Sequence, residues 1–253
     1  MKLQDSVIAI TGGGQGLGRA MAEYLAAKGA RLALIDLMED KLAETAEACK
    51  KAGGDAGIYV CNVAKEEDVE ATFKSIIQDF GQLNGLVNNA GILRDGLMVK
   101  FKDGQLQKRM ELSQWQSVID VNLTGVFLCG REAATRMIEN GDQGVIINIA
   151  SISRAGNMGQ SNYSAAKAGV SALVPVWAKE LAKHGIRCMG IAPGFIETEM
   201  TASMKPEALE KMTAGIPLKR MGKPEEIASA VAFICENDYL SGRMIEVDGA
   251  LRL

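Results

Sequence analysis

Short apolar runs alternate with longer amphipathic stretches along almost the whole chain. Val7–Thr11, Arg31–Asp36, 57–61, Gly85–Asn88, 145–150, 186–192 and Met244–Val247 read as strands. They are too continuous in Val, Ile, Leu and Ala for a sheet with one wet face, and predict parallel strands covered on both sides. Between them, helical periodicity predicts helices near 17–29, 39–52, 66–80, 113–140, 161–184 and 224–236. This alternation predicts an α/β fold of the Rossmann type, a doubly wound parallel sheet of about seven strands with helices on both faces. No linker or repeat interrupts it, so a single domain over 1–253 is expected. A polar, Pro-bounded stretch at 205–217 reads as a flap, which the loop before it extends to about 194–217.

Composition narrows the function classes. The 253 residues carry 28 Lys and Arg against 31 Asp and Glu, and a net charge of −3 is no footprint for nucleic acid. No run of about 18 apolar residues is present, so no membrane span is expected. The first residues run straight into a strand pattern without a signal-peptide apolar region. Five scattered cysteines, with no Cys-x-x-Cys, argue against disulfides and a zinc site and for a reducing cytoplasm. No metal is expected. One histidine, His184, and no Gly-x-Ser-x-Gly leave little room for Ser-His-Asp hydrolysis.

The first strand ends in Thr11-Gly12-Gly13-Gly14-Gln15-Gly16-Leu17-Gly18, and a helix pattern follows at once. Gly12, Gly16 and Gly18 fit a Gly-x-x-x-Gly-x-Gly spacing. Such a turn brings the backbone close to a pyrophosphate, and the helix N-terminus offers free N–H groups and partial positive charge. A plain strand-to-helix turn is the bland reading, but the strand–glycine–helix context favours a dinucleotide. Asp36 closes the second strand, where a carboxylate binds the adenosine ribose hydroxyls and repels a 2′-phosphate. Leu37, Met38 and Gln15 supply no cation, so NAD(H) is preferred over NADP(H).

Further along stand Asn88-Asn89-Ala90-Gly91, Asn122, Ser151, Tyr163-Ser164-Ala165-Ala166-Lys167, and Pro193-Gly194 with Thr198. In order and spacing these resemble the short-chain dehydrogenase/reductase family, from Val7 to about residue 249. Tyr24 and Lys28 repeat the Tyr-x-x-x-Lys spacing within the first helix, where they read as a structural pair. Tyr163 instead opens a helix after a strand that ends in a serine. A free phenol has a pKa of about 10, so a catalytic tyrosine needs positive charge nearby. Lys167, one helical turn on, is expected to lower it by about 3 units, with help from oxidised nicotinamide. Ser151, preferred over Ser153, is expected to hydrogen-bond the substrate oxygen.

The resemblance implies more. Lys167 would also hold the nicotinamide ribose, and Asn122, placed at a helix start, would anchor a proton-relaying water. Asn62 and Val63 would approach the adenine, Asn89 with Ala90 and Gly91 the adenosine-side ribose region, and Ile196 and Thr198, after Pro193 and Gly194, the nicotinamide amide. The run Ala192-Pro193-Gly194-Phe195-Ile196-Glu197-Thr198-Glu199-Met200-Thr201 looks like that of 3-oxoacyl-[acyl-carrier-protein] reductases. The expected activity is NAD(H)-dependent reduction of a 3-oxoacyl thioester, carried on acyl-carrier protein or CoA, or of a similar ketone, by hydride transfer. The alternative is an NAD-dependent dehydrogenase of a secondary alcohol, sugar or steroid. Acidic residues at 139–142, taken as lying near the entrance, oppose an acidic partner and make CoA or a small ester at least as good a substrate as an acyl-carrier thioester. Segment 94–113, with Lys100, Lys102, Lys108 and Arg109, reads as a solvated face, a CoA phosphate mouth or an oligomer contact. Long apolar helices and the family pattern point to a homotetramer.

Overall fold

Alternate side chains of the first strand, β1 (Val7–Thr11), enter two different cores: Ile8 and Ile10 one, Val7 and Ala9 the other. That is why its sequence is apolar throughout. The structure, a computed structural model, describes residues 1–198, 207, 210 and 213–253. The chain continues through α1 (Gly16–Ala26), β2 (Arg31–Asp36), α2 (Glu39–Lys51), β3 (Asp55–Val60), α3 (Glu66–Phe80) and β4 (Gly85–Asn88). A hairpin, β5 (Val99–Lys102) and β6 (Gln105–Arg109), precedes α4 (Leu112–Ile119) and α5 (Gly125–Asn140). Then come β7 (Gly144–Ile149), α6 (Ser161–Leu181), β8 (Ile186–Pro193), α7 (Pro224–Glu236) and β9 (Met244–Val247).

The main sheet has seven parallel strands in the order β3-β2-β1-β4-β7-β8-β9. Winding runs outward from β1 to β3, then restarts at β4 on the other side of β1. In such a sheet, ligands bind beyond the carboxyl ends of the strands where the order reverses. Met21, Leu25, Leu42, Ile227 and Val231 of α1, α2 and α7 build one core; Phe73, Ile76, Met137, Val170 and Trp177 of α3, α5 and α6 build the other.

Several expectations need correction. The edge strands β3 and β9 are only partly covered, since each has a neighbour on one side alone. The first helix ends at Ala26, before Gly29 with its left-handed φ of 84°. The expected 113–140 helix is split by a π turn at Asp120–Thr124, which contains Asn122; that residue does not open a helix. Segment 94–113 holds the hairpin, a separate two-stranded sheet that sequence patterning missed. Most of the expected 205–217 flap, and Glu199, Met200 and Thr201, lie outside the described residues.

Candidate active site

Thr11 ends β1 at the reversal, buried to 2% exposure. Its Oγ1 accepts the backbone N–H groups of Asn89 and Ala90, each at 3.0 Å. The Asn89 side-chain amide in turn donates to the carbonyls of Thr11 and Gly12, at 3.0 and 3.2 Å. These bonds clasp the glycine turn to the end of β4. Gly12 has a φ of 65°, and a Cβ there would lie 2.9 Å from the Asn89 amide nitrogen. A Cβ at Gly18 would lie 1.9 Å from the Gly12 carbonyl oxygen, so only glycine fits where the helix crosses under the turn.

A cleft of about 750 Å³ opens above this clasp. Gly12, Gln15, Gly16 and Leu17 line its floor at the start of α1, and Asp36, Asn62 and Val63 line it from the ends of β2 and β3. Asn89, Ala90 and Gly91 follow β4 into the same wall; Pro193, Gly194, Ile196 and Thr198 follow β8. Gly18 lies beneath the turn rather than on the wall, and Asn122 is likewise outside the lining. The wall also takes apolar Leu37 and Phe195, and Ile92, Leu93 and Val121, which sequence reasoning did not single out.

The floor suits a dinucleotide pyrophosphate. A Cβ on Gly16 would meet nothing within 4 Å, so this backbone is open to a close-lying group. The first turn of α1 has neither a side-chain cap nor an acidic residue, leaving its N–H groups for an anion. One Asp36 oxygen accepts the Gly14 N–H at 3.1 Å; the other accepts those of Leu37 and Met38, at 2.7 and 3.3 Å. The carboxylate is thus fixed at the cleft edge, with no Lys or Arg in the adjoining lining.

At the other end, Ser151 follows β7 and caps a short 3-10 turn, Ile152–Ala155. Its Oγ accepts the Ser153 N–H at 3.1 Å and is hydrogen-bonded to the Tyr163 phenol. Of the two serines weighed for the substrate oxygen, Ser151 is the one joined to the phenol. Arg154 in this turn donates to Glu246 at 2.5 Å, and Ile152 packs with Ile216 and Leu251. Lys167 is 3% exposed; its Nζ donates to the Ile149 carbonyl at 2.7 Å and lies 5.6 Å from the Tyr163 ring centre. Asn122 is fully buried, and its side chain both accepts from Ile92 N–H (2.8 Å) and donates to the Ile92 carbonyl (3.1 Å). It therefore holds the strand-end loop after β4 in place.

Electrostatics correct one expectation. Burial pushes the Tyr163 phenol above its ordinary value; the Ser151 hydrogen bond draws it down, and Asp95 pushes it up. Desolvation lowers the pKa of Lys167 itself to about 8. In the protein alone the phenol is thus raised rather than lowered; the expected 3-unit acidification also calls on the charge of oxidised nicotinamide. A second correction concerns the entrance. The 139–142 loop precedes β7, where Asp142 accepts the Leu83 N–H and Asn140 donates to the Gly81 carbonyl. This loop sits at the amino ends of the strands, opposite the cleft, and cannot repel a partner at its mouth.

The profile of a family described as Enoyl-(Acyl carrier protein) reductase matches residues 12–251. The chain belongs to the short-chain dehydrogenase/reductase family and is an oxidoreductase of that family. It is 38% identical to the 3-oxoacyl-[acyl-carrier-protein] reductase of Thermotoga maritima, covering 99% of each chain. It is 41% identical to the human 3-oxoacyl-[acyl-carrier-protein] reductase, over 98% of this chain and 99% of the relative. Among solved structures, NAD+-bound xylitol dehydrogenase aligns with a TM-score of 0.88 at 27% identity, covering 99% of this chain and 100% of that one. A structure from Agrobacterium tumefaciens aligns with a TM-score of 0.89 at 35% identity, covering 99% and 97%.

Proposed function

We propose that the protein reduces the ketone of a 3-oxoacyl thioester to the 3-hydroxy product with NADH. The observation that carries this reading is the phenol of Tyr163, hydrogen-bonded to Ser151 and backed by the buried Lys167 in one cleft with the glycine turn. When bound, the dinucleotide supplies or takes the hydride, and its oxidised ring brings a positive charge. Tyr163 is the proton donor to the developing alkoxide, and its raised pKa keeps it protonated at neutral pH for that role. Ser151 holds the carbonyl oxygen and stabilises the charge that develops on it. Lys167, tied to the Ile149 carbonyl, has a fixed ammonium that can hold the nicotinamide ribose. Asn122 sets the loop after β4 through Ile92.

NAD(H) over NADP(H) is supported by the fixed Asp36 carboxylate and by Leu37 and Met38 beside it. The 3-oxoacyl thioester is supported by the relatives' named activity and by the apolar wall of Leu93 and Phe195. With the 139–142 loop at the far end of the sheet, an acyl-carrier protein is as acceptable a carrier as CoA. A dehydrogenase of a secondary alcohol or sugar is the second reading, favoured by the likeness to xylitol dehydrogenase. No helix among the described residues is long and apolar enough to cross a membrane. Five buried, unpaired cysteines support a reducing cytoplasm. Exposed Phe127, Ile138 and Val176 on α5 and α6 support a tetramer. Steady-state rates of acetoacetyl thioester reduction with NADH and NADPH, and of xylitol oxidation with NAD+ and NADP+, test the proposal; turnover of xylitol alone would reject it.

A further inference from the structure

The β5–β6 hairpin is rooted at the rim of the cleft. Leu93 lines the cleft, the Asn162 amide donates to the Arg94 carbonyl at 3.0 Å, and Gln160 donates to Asp95 at 2.9 Å. Gly96 N–H donates to the Gly159 carbonyl at 2.7 Å, four residues before Tyr163. From this root the hairpin leaves the body, and every residue of both strands is exposed. Asp103 and Gly104, with φ of 52° and 74°, close it as a tight two-residue turn.

Register divides the hairpin into two faces. Lys100 lies opposite Lys108, and Lys102 shares their face; Phe101 lies opposite Leu106 on the other face, with Val99. Like charges set directly across a strand pair are unfavourable, and among the described residues no carboxylate pairs with any of the three lysines. Four cations fall between positions 100 and 109, in a chain whose net charge is −3. An isolated two-stranded hairpin with a bare apolar face is marginal in water. An acidic protein surface laid on the lysine face would neutralise it, while Phe101 and Leu106 face the other way.

Resting on the thioester reading above, we propose that this hairpin is the docking arm for an acidic acyl-carrier protein, which it positions with the thioester at the mouth beside Tyr163. The test is the variant K100E/K102E/K108E, with K100Q/K102Q/K108Q as the milder companion. The acetoacetyl group is offered on acyl-carrier protein, on CoA and on N-acetylcysteamine, at low salt, where charge steering is strongest. The expected result is a loss of about tenfold or more in kcat/KM on the carrier-protein thioester alone, smaller for the Gln variant. An equal loss on CoA would overturn the proposal in favour of a phosphate grip. Unchanged rates on all three would also overturn it, and a concurrent change in sedimentation would assign the hairpin to contacts between copies. Anisotropy titration with holo-acyl-carrier protein bearing no acyl group separates docking from turnover. If the wild type reduces no thioester, the function reading fails, while docking stands or falls on whether the Glu variant binds the carrier at least tenfold more weakly.

Discussion

The Lys167 ammonium lies 5.6 Å from the centre of the Tyr163 ring, and the Lys28 ammonium lies 5.7 Å from the ring of Tyr24. Helical spacing sets the first distance; Lys28 stands in the turn just after α1 and reaches its ring from there. What differs is the surroundings. Lys28 has a side chain 38% exposed and pairs with Glu236 at 3.9 Å, whereas Lys167 is buried and bonded to the Ile149 carbonyl. Burial and the Ser151 contact set the Tyr163–Lys167 pair apart, and no spacing rule supplies either.

Replacing Tyr163 with Phe removes the proton donor but keeps the ring's packing. Turnover is expected to fall about 10³-fold with NADH binding unchanged, while Ser151→Ala costs about 10²-fold. Stopped-flow rates and NADH fluorescence titration check both; Tyr24→Phe should leave activity intact.

Lys167 has a folded pKa of about 8 against an unfolded value of 10.5. Its charged form is thus disfavoured by folding, and the penalty is fully present below pH 8. As pH rises from about 8 to 10.5, the unfolded chain binds the extra proton and stability rises. Lys167→Met is expected to unfold at higher denaturant than wild type at pH 7, by up to about 3 kcal/mol, with that gap shrinking by pH 10. Activity should be lost. Urea melts at the two pH values measure it.

The proposed preference for NADH rests on the Asp36 carboxylate. The double change Asp36→Ser with Leu37→Arg is expected to shift the NADH-to-NADPH ratio of kcat/KM about a hundredfold toward NADPH, some 3 kcal/mol. Asp36 also accepts three backbone N–H groups, so a drop in melting temperature should accompany the shift.

Gly18 and Gly16 separate packing from cofactor approach. Gly18→Ala forces a methyl against the Gly12 carbonyl and should cost about 3 kcal/mol of stability. Gly16→Ala meets no neighbour; its φ of 55° costs about 1 kcal/mol, and the larger effect should be weaker NADH binding. Thermal melts with and without NADH distinguish them.

Much of this architecture is legible from periodicity, because buried parallel strands such as Val7–Thr11 and Ile186–Pro193 must be apolar on both faces. The glycine turn, Asp36 and Ser151 are readable because each sits where a strand ends, and Tyr163 because it and Lys167 stand in the first two turns of a helix. Thr11 was passed over: a buried hydroxyl satisfying two N–H groups looks like any strand residue until β4 is placed beside β1. The hairpin had a signal, Asp103-Gly104, but its flanking Lys and Gln residues masked the alternation that marks strands. The 139–142 acids misled because sequence alone does not say at which end of the sheet a loop lies.

Arg154 and Glu246 stand 92 positions apart, and Leu251 completes the apolar contact under the same turn. During synthesis the glycine floor and Tyr163 emerge long before the segment that steadies Ser151. A nascent chain can therefore hold nucleotide while its oxygen-binding corner is still loose, and chemical competence arrives only when β9 adds to the sheet edge.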